Sequence, residues 1–340
     1  MHVVADRVDD LLRAVFRRLL RSRSHICPSQ GPAKEEVGVL LQLTNARARL
    51  SRTENRSTLF SCLGELLWYL AGSDRLDFIK YYIRRYERSS DDGATIFGAY
   101  GPRLFNMRGR HDQISNVLRV LKTKRDSRQA VIQLFDANDL EQPHADIPCT
   151  CTLQFMLRDS KLHLMVHMRS NDAFLGLPHD VFAFTVIQEL VACLIKVEIG
   201  QYHHSVGSLH LYNRDEASVR QYLREDWQAL IPMPPMPSKK PWASVRTVLK
   251  AERLLRTGRP IDVRSLVVDD YWKDIVRLLQ IYRLIQTTKS TEPKALRTRA
   301  EKRISVIRAQ MSSHTYDLHI SRRLPADSIR KSRPAAGPQK

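Results

Sequence analysis

Two stretches decide the reading of this chain: Pro148-Cys149-Thr150-Cys151-Thr152-Leu153-Gln154-Phe155, and Arg169-Ser170-Asn171-Asp172-Ala173-Phe174-Leu175-Gly176-Leu177-Pro178-His179-Asp180. The first sets a cysteine on an apolar strand. The second sets an arginine, an aspartate and a Gly-Leu-Pro turn ahead of a helix, because Pro is favoured in a first helical turn. A thiol beside a guanidinium and buried polar groups is the pattern of a nucleophile next to an anion- and base-reading site.

Working outward, Val37 to Leu43 is expected as a strand and Leu59 to Leu70 as a buried helix carrying Glu65. Arg75 to Tyr86 continues as an aromatic-rich helix, and Ile114 to Leu121 has helical spacing. Ala130 to Phe135, Thr152 to Leu157 and Leu162 to Met168 are expected as strands from their β-branched and aromatic content. Val181 to Ile195 is apolar almost all round, which predicts a central helix buried on most sides. Five prolines between Ile231 and Pro241 place a domain boundary there, dividing the chain into residues 1–235 and a helical extension at 236–340. In that extension Trp242 to Leu255, Leu266 to Ile285 and a basic stretch from Leu296 to Met311 read as helices, with disorder from about Ser321.

The chain has 340 residues, 43% of them hydrophobic, and a formal charge of +19. The charge is uneven: residues 239–340 hold 24 Lys plus Arg against 9 Asp plus Glu, a balance of +15 that leaves +4 for the rest. Such a segment suits a polyanion or nucleic acid, although a solvated basic surface is the plainer reading. The first 23 residues form an amphipathic basic helix without the apolar run of a signal peptide. With no run of about 18 uncharged apolar residues, no membrane span is expected. Five scattered cysteines suit a reducing, cytoplasmic compartment, and no second Cys or His pair completes a metal site around Cys149 and Cys151.

The two opening stretches, with Gly64-Glu65-Leu66-Leu67-Trp68-Tyr69-Leu70, Asp126-Ser127-Arg128-Gln129 and Gly207-Ser208-Leu209-His210-Leu211-Tyr212, resemble the thymidylate synthase family in order and spacing, over about residues 35–225. That resemblance implies an α/β (α+β) fold with a large mixed sheet, a sheet-mediated homodimer, a pyrimidine nucleoside monophosphate substrate and 5,10-methylenetetrahydrofolate as co-substrate. It implies Cys149 as the nucleophile attacking C6 of the pyrimidine, Glu65 as a proton relay, and Arg169 with Ser170 on the phosphate. Arg169 is also expected to lower the thiol pKa. Arg128 is implied to reach the phosphate of a partner's site. The second cross-subunit arginine is replaced by Gln129, for which Lys34, Arg47, Arg49 and Arg52 are candidate substitutes. Gln154 and Tyr100 fall among the implied substrate contacts, His210 and Tyr212 hold the sugar, and Asp172, Leu175 and Gly176 lie on the folate side.

Asp180 departs from the family pattern. Thymidylate synthases carry Asn there, whose amide pairs with O4 and N3 of uracil. A carboxylic acid instead accepts from the amino group of cytosine and donates to N3. A mismatched, unpaired buried contact costs about 1–3 kcal/mol. Asp at this place marks the cytidylate hydroxymethylases of the same superfamily, so hydroxymethylation of dCMP or CMP is the expected reaction. Methylation of dUMP is the alternative, and a non-catalytic nucleotide- or nucleic-acid-binding protein is a second. Tyr82-Ile83-Arg84-Arg85-Tyr86-Glu87 replaces the family's Trp-rich segment, and a basic end, Gly337-Pro338-Gln339-Lys340, replaces its apolar terminus. Both predict a wetter site in which water adds to the exocyclic methylene.

Overall fold

A computed structural model describes residues 1–51, 58–225, 231–286 and 293–322. The elements run β1 (His2–Ala5), α1 (Val8–Arg21), β2 (His25–Ile26), β3 (Ala33–Leu43), α2 (Leu59–Leu70), α3 (Leu76–Tyr82), α4 (Tyr100–Phe105), α5 (Gln113–Thr123) and β4 (Val131–Gln133). They continue β5 (Thr150–Arg158), β6 (Lys161–Asp172), α6 (Leu177–Ile195), β7 (Glu198–Tyr212), α7 (Glu216–Arg224), α8 (Pro241–Arg256), α9 (Asp270–Gln286), α10 (Lys294–Ala309) and α11 (Asp317–Ser321). The contacts divide the chain into two compact units, Met1–Val245 and Arg246–Lys340.

The first unit is built on one mixed sheet of order β1-β3-β7-β6-β5-β4, with β2 on β3. β1–β3 and β6–β7 are parallel, and the other pairs are antiparallel. The long parallel β6–β7 pair matters most for the site, because its far end sets Asn171 against Leu209 and Asp172 against His210. Gly207 permits that closeness: a Cβ there would lie 2.9 Å from the Arg169 carbonyl oxygen.

α6 is the core helix, buried from Leu177 to Ala192. It is long and apolar enough to cross a membrane, but 83% of its apolar window is buried inside the protein. Two polar residues fix it. Gln188 Nε2 donates to the Leu162 and Gly200 carbonyls at 2.8 and 3.2 Å, satisfying backbone acceptors at an irregularity in β6–β7. Glu189 accepts from Arg47 Nε at 2.6 Å, from the Met236 N–H at 3.0 Å and from Arg49. α2 packs against α3 at Gly64, where a Cβ would lie 2.1 Å from the Tyr82 ring.

Several sequence expectations need adjustment. The helix expected over Arg75 to Tyr86 breaks at Ile83, which is extended (φ −137°, ψ 91°), and residues Arg84–Ser89 form a separate 3₁₀ turn. Cys149 precedes β5 instead of lying within it. The register of β5 on β6 shifts between Thr150 and Thr152, so the alternation that would align Cys149 with Cys151 is interrupted. β1, β2 and β7 have no counterpart among the strands expected from sequence. The N-terminal helix buries Leu11, Leu12, Val15, Phe16 and Leu19, as its spacing implies.

In the second unit α9 buries Trp272, Ile275, Val276, Leu278, Leu279 and Ile281, and α10 buries Ala300 and Ile304. Asp274 accepts from the Ser312 and Ser313 N–H groups and pairs with Arg277 at 2.8 Å. The disorder expected at the C-terminus, and the end Gly337 to Lys340, fall outside the described residues.

Candidate active site

The site forms where the N-terminus of α6, the end of β6, the start of β5 and the middle of α2 converge. Cys149 is held from behind by Arg169. The Arg169 N–H donates to the Cys149 carbonyl at 2.9 Å. Its side chain donates from Nε to the Pro148 carbonyl and from Nη2 to the Ile147 carbonyl, both at 3.0 Å. Nη2 also stands 3.8 Å from Cys149 Sγ. Most of this exposed guanidinium therefore positions the Ile147–Cys149 segment, and Nη1 is left for an anion.

Contrary to expectation, the thiol is not acidic. Burial pushes Cys149 up to about 11; Arg169 pulls it down, while Asp146 and Asp180 oppose that pull. Desolvation of a thiolate outweighs one guanidinium at this distance. Thr150, the next residue, is completely buried; its N–H and hydroxyl both bond to the Tyr100 hydroxyl, at 3.1 and 2.9 Å. Tyr100 thus anchors the start of β5 as well as lying near Cys149 and Asp180, whose charges it feels.

Glu65 is 4% exposed in an apolar turn of α2. Tyr86 donates to its Oε1 at 2.5 Å and packs edge-on against Trp68, with ring centroids 5.4 Å apart. Burial pushes the Glu65 carboxyl up, and the Tyr86 hydroxyl and Arg85 pull it back only in part. The Tyr82 to Glu87 stretch thus does not leave this carboxylate open. It supplies its own aromatic cover.

Asp180 sits in the first turn of α6, and Asn171 Nδ2 donates to its Oδ2 at 2.7 Å. Burial, then the charge of Glu65, push Asp180 up to about 8; the Asn171 donor and Arg85 act the other way. At neutral pH this side chain is mostly a carboxylic acid. Gly176 lies under the Asn171–Asp180 contact: a Cβ there would meet Asn171 Nδ2 at 2.9 Å and Asp180 Oδ2 at 3.5 Å.

Asp172 ends β6 with an Asx turn, its Oδ1 accepting from the Phe174 and Leu175 N–H groups at 2.8 and 2.9 Å. His210 faces Asp172 and has its pKa lowered by burial, which outweighs the pull of Asp172. It packs edge-on against Tyr212, with centroids 5.0 Å apart, and Arg214 stacks over the Tyr212 ring at 4.3 Å. Ser170 pairs with Ser208 in the β6–β7 ladder.

Other expected site residues lie elsewhere. Gln154 is on β5 and donates from Nε2 to the Arg128 carbonyl at 2.9 Å, so the two are neighbours, with the Arg128 side chain exposed. Among the proposed phosphate substitutes, Arg47 and Arg49 are both paired with Glu189, and the Arg49 side chain is buried. Lys34 donates to the Leu20 carbonyl and pairs with Glu216, both at 3.0 Å. Arg52 lies outside the described residues. Sequence reading missed Tyr86, Arg85, Asp146, Asn171, Tyr202 and His204. Asn171 stood in plain view between Ser170 and Asp172, and Tyr202 and His204 share the two-residue spacing of one strand face.

Cys149, Arg169, Asp180 and Glu65 thus stand within reach of one another's charge: Cys149 senses Arg169 and Asp180, and Asp180 senses Glu65. A family model for thymidylate synthase matches residues 41–243, well over half of the chain. The chain belongs to the thymidylate synthase family, and it is a one-carbon transferase acting at C5 of a pyrimidine nucleotide. The family uses methylenetetrahydrofolate and is typically homodimeric.

Proposed function

We propose that this enzyme hydroxymethylates a cytidine monophosphate, dCMP or CMP, with 5,10-methylenetetrahydrofolate as co-substrate. The supporting observation is Asp180: a buried carboxyl, protonated below about pH 8, at the position that the family resemblance assigns to reading the base edge. Attack at C6 raises the basicity of N3, and a neutral acid beside N3 can meet that change with a proton. Its other oxygen can accept from the amino group.

In this reading Cys149 Sγ bonds to C6 and C5 becomes nucleophilic. Methylenetetrahydrofolate supplies a one-carbon unit at the formaldehyde oxidation level. Asp172 suits its pterin, since Oδ1 is occupied by the turn and Oδ2 remains for an N–H donor. Glu65, covered by Tyr86, relays the C5 proton through water. C5 bonds to the one-carbon unit, and loss of the C5 proton breaks the N–CH2 bond, releasing tetrahydrofolate and leaving an exocyclic methylene. Water adds to that methylene, and the C6–S bond breaks to return Cys149 as a thiol. Arg169 and Ser170 take the phosphate, His210 and Tyr212 the sugar, and Tyr100 lines the base. Leu175 and Gly176 form the turn on the folate side. A homodimer in which Arg128 serves the partner's site accounts for its exposure on this protomer. Residues 236–340 form a basic extension suited to a polyanion.

Methylation of dUMP is the second reading, because a neutral Asp180 can also donate to O4. Product mass spectrometry after incubation with methylenetetrahydrofolate and dCMP, CMP or dUMP separates the two. A hydroxymethyl product from a cytidine nucleotide is expected; a methyl product from dUMP alone would overturn the proposal.

A further inference from the structure

Behind Asp180 runs a buried polar chain that the catalytic steps do not use. Tyr202 and His204 are both fully buried on β7, and Asn171, 4% exposed, is on the neighbouring β6. The Tyr202 hydroxyl lies 2.7 Å from His204 Nδ1, His204 Nε2 lies 3.1 Å from Asn171 Oδ1, and Asn171 Nδ2 lies 2.7 Å from Asp180 Oδ2. In a well-packed core three linked polar side chains cost desolvation unless each is satisfied, so their directions are correlated.

The direction follows from chemistry. Burial lowers the His204 pKa to about 3, so the ring is neutral and carries one N–H. A phenol is a far better donor than acceptor toward imidazole, so Tyr202 O–H donates to Nδ1 and the ring proton sits on Nε2. Nε2–H then donates to Asn171 Oδ1, which turns the amide so that Nδ2–H points at Asp180 Oδ2. A carboxyl oxygen that accepts a strong hydrogen bond is the poorer place for the acid proton.

We propose that Tyr202, His204 and Asn171 are specificity-determining positioning residues that keep the Asp180 proton on Oδ1, so that the base meets a fixed donor and a fixed acceptor in one order. This rests on the reading of Asp180 as the base-recognising group. Without the relay either oxygen could carry the proton. The two orders match opposite edges, an amino group beside an unprotonated N3 in cytosine and a carbonyl beside N3–H in uracil. The relay thus separates two bases that a freely rotating acid would accept alike.

The test compares wild type with Tyr202→Phe, which removes the phenol oxygen and nothing else, and with Asn171→Leu, which removes the donor to Oδ2. Two readouts are used: the ratio of dCMP to dUMP dissociation constants, and the tautomer of His204 by ¹⁵N NMR. Wild type should show the proton on Nε2 and prefer dCMP. Tyr202→Phe should populate the Nδ1–H form and shrink the dCMP:dUMP preference about tenfold, the scale of one mispaired buried hydrogen bond. Asn171→Leu should shrink it at least as far. An Nδ1–H tautomer in wild type, or an unchanged preference in a folded Tyr202→Phe protein, overturns the relay while leaving Asp180 recognition standing. A wild type that prefers dUMP with His204 protonated on Nε2 overturns the cytosine reading instead.

Discussion

Arg169 Nη2 stands 3.8 Å from Cys149 Sγ, yet the thiol stays protonated at neutral pH because burial outweighs that single guanidinium. In the proposed reaction the thiolate is therefore generated on the bound nucleotide instead of waiting preformed. In the free enzyme the rate of Cys149 alkylation by iodoacetamide should keep rising through pH 9 without reaching a plateau. Arg169→Ala removes the main downward influence and should slow alkylation at any fixed pH. A plateau below pH 8 would contradict this.

Tyr86 is the strongest of the groups that hold the Glu65 pKa down. In Tyr86→Phe the carboxyl loses the stronger of its two tyrosine donors, Tyr69 being the other, so its pKa rises and the limb of the kcat profile that reports Glu65 should move to higher pH. Measurement of kcat against pH for both proteins checks the direction; movement to lower pH would assign that limb to another group.

Gly176→Ala places a methyl 2.9 Å from Asn171 Nδ2 and 3.2 Å from the Asp172 carbonyl oxygen. Overpacking of this kind costs about 1–3 kcal/mol. The displaced Asn171–Asp180 contact should also weaken nucleotide binding. Urea unfolding and nucleotide titration measure the two effects separately.

Glu189 compensates two arginines at the middle of α6. Burial alone would push its carboxyl up, but Arg49, the Met236 N–H and Arg47 outweigh it and hold Glu189 below its ordinary value. Its contribution to stability is therefore present above the unfolded-state pKa and is lost as pH falls through the folded one. Glu189→Gln should cost about 3–5 kcal/mol, the scale for leaving a buried partner charge uncompensated. It should also flatten the acid limb of stability against pH. Denaturant unfolding between pH 3 and 7 measures both.

Much of this was legible in the sequence because apolar periodicity reports burial directly. Leu59 to Leu70 matches α2 end to end, and α6 was visible as an apolar run. β7 was not, because its buried positions Gly200, Tyr202, His204 and Val206 include a glycine and an imidazole instead of an aliphatic alternation. The same residues hide the relay behind Asp180, whose members are buried for hydrogen bonding. The high thiol pKa was illegible for a related reason: Arg169 next to Cys149 in the fold suggests a thiolate, and only burial reveals which influence wins.

Selection of the base is the role proposed for Asp180. Its most direct test is kcat/KM for dCMP and for dUMP, measured with methylenetetrahydrofolate on wild type and Asp180→Asn. Wild type should favour dCMP, and Asp180→Asn should reverse the preference, since an amide donates to O4 and accepts from N3–H without needing a proton. A wild type that favours dUMP, or an Asp180→Asn protein that keeps its preference for dCMP, would contradict the account.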